Sequence, residues 1–135
     1  MRVEKSRGSM TVEVLLLTPV LVLLVMLIVY AGRMTEASIR VHRAADVGAR
    51  VASISKESVM VWKGEIAART DMRLSKSPCQ NIDVAVRKSR IDRLVTVTTT
   101  VSCTVPITGL SLLSSRLQRV RASSTEVIDF YTGRS

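Results

Sequence analysis

The feature that most constrains this chain is the uncharged run from Val14 to Ala31, 18 residues whose apolar character is broken only by Thr18 and Pro19. As a helix it is about 27 Å long, close to the roughly 30 Å thickness of a bilayer's hydrocarbon. A secretory signal carries a shorter apolar region followed by small residues at a cleavage site. Here the run is longer, and Gly32-Arg33-Met34-Thr35 follows it. A soluble helix apolar on every face needs a large protein around it. The run is therefore expected to span a membrane once, over about residues 14–31.

That span also explains an odd composition. The chain has 135 residues, a formal charge of +9 and 47% hydrophobic residues. The apolar residues gather near the start while the charges spread over the rest. About 100 residues remain outside the span, enough for one small core. The four aromatics, Tyr30, Trp62, Phe130 and Tyr131, exclude an aromatic-rich core and offer little to stack on bases, so no specific nucleic-acid recognition is expected. His42 is the only histidine, and no phosphate loop, dinucleotide fingerprint or zinc-protease motif occurs. No cofactor, no metal site and no enzymatic activity are expected.

The residues ahead of the span are more specific. Residues 1–8 form a basic leader containing Arg2, Lys5 and Arg7, and Glu13 then stands at the very edge of the apolar run. A carboxylate there is costly if it enters lipid, by about 2–3 kcal/mol when deep. It calls for a partner or a function. A cut between Gly8 and Ser9 makes Glu13 the fifth residue of the product, where it meets the freed α-amino group of a neighbouring subunit in a low dielectric. The competing reading makes Glu13 an interfacial residue of an ordinary signal anchor.

Basic leader, Gly8, Glu13 and an apolar helix together resemble the prepilin-peptidase signal of type IV pilins and pseudopilins. Arg7 to Glu13, Thr18-Pro19 within the span, Gly32-Arg33, and Arg43-Ala44-Ala45-Asp46-Val47-Gly48-Ala49-Arg50 narrow the likeness to the TadE-like family, pseudopilin-like components of tight-adherence (Flp-type) pilus systems. The likeness covers residues 7–52. It implies processing at Gly8–Ser9 by a prepilin peptidase and an assembly contact through Glu13. The implied partners are other pilins, pilus-assembly membrane proteins and the lipid bilayer. The chain departs from the major type IV pilins in having Ser9, not phenylalanine, after the cut, so N-methylation is not implied.

Orientation divides the signals. Arg33, Arg40, Arg43 and Arg50 follow the span within 20 residues, against three basic residues before it, and this count favours a cytoplasmic C-terminal side. A pilin-like leader must instead meet its peptidase in the cytoplasm. The expected topology is the bacterial plasma (inner) membrane, N-terminus cytoplasmic and C-terminal domain extracytoplasmic. Cys79 and Cys103 suit that side as a disulfide, which would close a loop of about 25 residues and add about 3 kcal/mol; two reduced, buried thiols are the alternative.

Beyond the span the expected fold class is α+β: the helix continues to about residue 55, and a small antiparallel β-sheet domain fills residues 56–135. Met34, Ala37, Val41, Ala44, Ala45, Gly48, Val51 and Ala52 recur at helical spacing, a small-residue face suited to another helix or to the protein's own sheet. Pro19 is expected to kink or loosen the helix. A second helix over 57–75 is expected to use Val59, Trp62, Ile66 and Leu74, ending at Ser77-Pro78. Ile82, Val84 and Val86 define a strand, and Val95, Val97, Val101, Cys103 and Val105 a second, joined by polar Lys88 to Arg93. Apolar positions are even in one and odd in the other, so facing residues have odd-numbered sums. A direct Cys79–Cys103 bridge then requires a bulge or a Cys79 outside the strand. Pro106 and Gly109 mark a loop, and a third strand is expected over about Leu117 to Phe130, with Val120, Ala122, Val127 and Ile128 inside. The competing function is that of an uncleaved signal-anchored envelope protein whose basic domain binds anionic polymers or DNA, with affinity falling steeply in salt.

Overall fold

A single helix, α1 (Arg7–Ser53), runs from the leader through the apolar stretch and on past it. The computed structural model describes residues 7–91, 94–106 and 117–128. The chain divides into two units, Met1–Arg33 and Met34–Ser135.

In the first unit every side chain from Val12 to Val29 is exposed. Within α1 an 18-residue window reaches a mean hydropathy of 2.9, and none of it is buried by protein. This is a helix long and apolar enough to cross a membrane, since hydrocarbon is the medium in which an all-apolar surface and internally bonded backbone are both stable. The helix runs on through Pro19, whose ring leaves one backbone carbonyl without its usual donor. One residue before it, the Thr18 hydroxyl donates to the Val14 carbonyl at 2.7 Å, which keeps that polar group satisfied away from water.

The second unit pairs residues 34–53 of α1 with α2 (Met60–Leu74) and three strands, β1 (Gln80–Ile91), β2 (Leu94–Val105) and β3 (Gln118–Val127). The sheet has the order β1-β2-β3 and is antiparallel throughout. The architecture is α+β. Burial in β2 alternates strictly, with Val95, Val97, Thr99, Val101, Cys103 and Val105 facing inward. Val101, Cys103 and Val105 share one core cluster with Val84 of β1, Ala122 of β3 and the small-residue face of α1 at Ala37, Val41, Ala44 and Ala45, while Thr99 faces Gly48. That face is used inside the chain, against its own sheet and α2. Val51 is only half-buried and Ala49 takes its place.

Several boundaries and faces differ from the sequence reading. In α2 the buried residues are Met60, Gly64, Ala68 and Met72. Trp62, Ile66 and Leu74, expected inside, are exposed. The cause is the helix crossing. A Cβ on Gly48 would lie 3.0 Å from the Gly64 carbonyl oxygen, and one on Gly64 would lie 3.0 Å from that of Gly48. Only the narrow side of α2 fits so close an approach, and this outweighs the larger area of tryptophan. α2 also stops at Leu74, earlier than Ser77-Pro78 suggested. Lys76 takes a left-handed φ of 46° just beyond the end, a common way to terminate a helix.

Lys88 to Ile91, expected in the connector, belong to β1: Ile91 pairs with Leu94, and Lys88, Ser89 and Arg90 are exposed strand residues; Asp92 and Arg93 lie outside the described residues. Facing residues sum to odd numbers from Asp83 to Ile91, and the register shifts between Gln80 and Asp83, where Asn81 has a φ of 49°. Cys79 lies just outside β1, and it is bridged to Cys103 with a Cα–Cα distance of 5.4 Å. In β3, Val120 is half-buried and Ala122 buried, whereas Val127 is exposed. Beyond β3 the Ile128 amide still donates to the Val95 carbonyl at 2.8 Å. Gly109 and Phe130 lie outside the described residues.

Thr99 occupies an apolar slot of β2 with no exposure, and its hydroxyl oxygen has no partner among the described residues. A buried unpaired hydroxyl costs about 1–3 kcal/mol. Thr99→Val keeps the shape and removes that polar group. It is expected to raise unfolding stability by about 1 kcal/mol, read as a higher urea midpoint of the detergent-solubilised protein at unchanged slope.

The opposite face of the sheet is polar. Thr96, Thr98, Thr100, Ser102 and Thr104 of β2 are half-exposed, with Arg87 of β1 and Arg119 and Arg121 of β3 exposed around them. Thr98 and Thr125 share a hydrogen bond of 2.8 Å across β2 and β3. One sheet face on the core and one in water is the ordinary antiparallel arrangement, and here the watered face carries part of the basic excess.

Candidate functional site

The residues that sequence reasoning singled out for processing and assembly lie in the first turns of α1. Gly8 and Ser9 follow its first residue, Arg7, so the peptide between them is helical in the uncut chain. Opening one turn at a helix end sacrifices little, because the first four amides have no intrahelical acceptor. Glu13 is one turn further on, exposed between the equally exposed Val12 and Val14. Among the described residues its carboxylate has no hydrogen-bond or ion-pair partner. A charge at the margin of a bilayer-length apolar surface, flanked by Val12 and Val14, is available to a group from elsewhere.

The second unit contains further charged contacts, and they brace structure. Arg40 lies on the exposed side of α1, pairs with Glu36 at 2.6 Å and donates to the Ser75 carbonyl at the end of α2. A cation on terminal carbonyls is a favourable helix cap. Arg43 lies 3.7 Å from Asp71 of α2. In the sequence Arg40 and Arg43 counted toward the charge following the span, and that they reach α2 was missed; an antiparallel partner helix is the signal that would have found them. Lys88 of β1 pairs with Glu57, holding the Glu57 carboxyl below its ordinary pKa through the hydrogen bond and the positive charge. Both partners are at least partly solvated, so the pair contributes little to stability.

His42 is exposed on α1, and both cysteines are in the bridge. Among the described residues no group of three or more His, Cys, Asp or Glu side chains is placed to hold a metal ion. The first unit offers an exposed apolar helix with an acid near its start, and the second is a small cross-braced α+β unit.

Comparison with known proteins agrees with the N-terminal part. Residues 8–50 match the family model described as TadE-like protein. The match takes in Gly8, Ser9, Glu13, the apolar run and most of the small-residue face. No curated protein and no solved structure matches the chain.

Proposed function

We propose that this chain, TadE-like over residues 8–50, is a membrane-anchored pseudopilin that takes part in assembling a tight-adherence, type IV-like pilus or a related secretion system. The observation that carries the reading is the exposed Glu13 at the head of an unburied apolar helix, five residues after Gly8. A prepilin peptidase cuts Gly8–Ser9 on the cytoplasmic side of the bacterial inner membrane. Removing the leader takes away three basic residues and one acid, so the formal side-chain charge falls from +9 to +7. The new amine of Ser9 sits four residues before Glu13, on the same helical face. It neutralises the acid within its own chain until a neighbouring subunit's terminus takes its place. The span holds the subunit in the bilayer before assembly. The bridged second unit is extracytoplasmic, where Cys79 and Cys103 stay oxidised, and it makes the contacts outside.

N-terminal sequencing and intact-mass measurement of the membrane-extracted protein test the first step. In cells with an active prepilin peptidase the protein begins at Ser9. In cells lacking the peptidase it keeps residues 1–8. A chain that retains its leader in the presence of the active enzyme refutes the processing step and the assembly role built on it.

A further inference from the structure

α2 has a second face that the fold does not use. Its buried residues, Met60, Gly64, Ala68 and Met72, form one line four residues apart. Nearly opposite, Trp62, Ile66, Arg69 and Arg73 follow at i, i+4, i+7 and i+11, which is one stripe at about 100° per residue. Trp62, the chain's single tryptophan, is 63% exposed and Ile66 43%. Lys63 and Arg73 flank them, both exposed and without a carboxylate partner among the described residues. Glu65, the one acid of the helix near this stripe, is already bound to Arg69 at 2.9 Å.

We infer that this stripe is a docking surface for a protein partner that presents an apolar helix edged by Asp or Glu. Tryptophan and arginine are the residues that most often dominate protein interfaces, and a helix commonly offers anchors at this spacing. The charge selects the partner's chemistry. The cations left over at Lys63 and Arg73 repel another copy of the same stripe and attract carboxylates. A lipid surface is the poorer fit. An interfacial helix needs one broad apolar face, whereas the buried line of α2 is turned into the core and the large apolar side chains left outside, Val61, Trp62, Ile66 and Leu74, are scattered around the helix among Lys63, Arg69 and Arg73. The inference does not depend on processing at Gly8–Ser9, since it concerns an element well outside the family match.

The single tryptophan supplies the readout. Full-length protein in detergent micelles is titrated with a synthetic helical peptide bearing Leu at i, i+3, i+4 and i+7 between Glu residues, and with the same peptide carrying Lys in place of Glu. The Glu peptide is expected to shift Trp62 emission to shorter wavelength, saturably and more weakly in salt, while the Lys peptide does not. Ile66→Ala weakens binding of the Glu peptide by at least about 30-fold, the size of a hot-spot truncation. The pair K63E and R73E reverses the preference between peptides. Both changes are at exposed positions, and an unchanged urea midpoint shows that the fold persists. In cells, a photocrosslinking residue at position 69 is expected to join a segment that reads, by mass spectrometry of the joined peptide, as amphipathic and acidic. The inference is overturned if neither peptide shifts the emission, if both do so equally, if anionic vesicles shift it where the Glu peptide fails, or if the adduct is a second copy of this chain.

Discussion

Gly48→Val is expected to lower the thermal midpoint of the second unit by more than about 10 °C. A Cβ on Gly48 would stand 2.8 Å from the Thr99 methyl, 3.0 Å from the Ala68 Cβ and 3.0 Å from the Gly64 carbonyl oxygen. Those neighbours belong to β2 and α2, so relief requires moving whole elements, and a branched side chain brings two further carbons. Overpacking of this kind costs about 1–3 kcal/mol and sometimes more. Each kcal/mol moves the midpoint of a unit of this size by about 4–8 °C. Gly32→Val is the control, because a Cβ there meets nothing within 4 Å. Far-ultraviolet circular dichroism of both variants in micelles, heated alongside the parent, decides the matter. Equal midpoints for Gly48→Val and the parent would mean that the two helices do not approach as closely as the crossing requires.

The same crossing shows where sequence reasoning ran short. The apolar run from Val14 to Ala31 had one physical solution, and β2 declared itself by alternation at Val95, Val97, Val101, Cys103 and Val105. Thr99 interrupts that alternation chemically but not geometrically, since its methyl group fills the slot facing Gly48. In α2 the usual rule, that the largest apolar residues point inward, selects Trp62 and Ile66. The helix obeys a different constraint, closeness of backbones at Gly48 and Gly64, and it turns its small side inward. Gly64 is a poor helix former by propensity, yet its missing side chain is the reason the helix packs there. The extra strand length of β1 was hidden because Lys88, Ser89 and Arg90 have no apolar rhythm. They pair by backbone alone, which no side-chain pattern records. The candidate site was legible only as an order of residues along the chain. Gly8, Ser9 and Glu13 stand out by their order along the chain, and the second unit that the structure adds bears on braces and surfaces, not on them.

Glu13→Gln is expected to abolish pilus formation while leaving the protein processed and inserted. The substitution keeps the size and hydrogen-bonding reach of the side chain and removes its charge. Insertion should hold or improve, because an acid at the edge of the span opposes partition into lipid. Cleavage at Gly8–Ser9 is four peptide bonds away and requires no charge at position 13. What disappears is the attraction between a carboxylate and a neighbour's α-amino group. At about 4 Å that attraction is about 1 kcal/mol in water and about 4 kcal/mol at an effective dielectric near 20. The upper figure corresponds to roughly a thousandfold in the affinity of one subunit for the next. A repeated contact of that size separates an assembling system from one that does not assemble. Glu13→Asp keeps the charge on a shorter stem and should restore part of the yield; a purely steric role for position 13 would rank Gln above Asp. The measurements are the sheared-fibre yield, the N-terminal sequence and membrane fractionation for each variant expressed at the parent's level. Normal fibre yield from Glu13→Gln, with processing intact, would leave the acid without an assembly role and return it to the status of an interfacial residue.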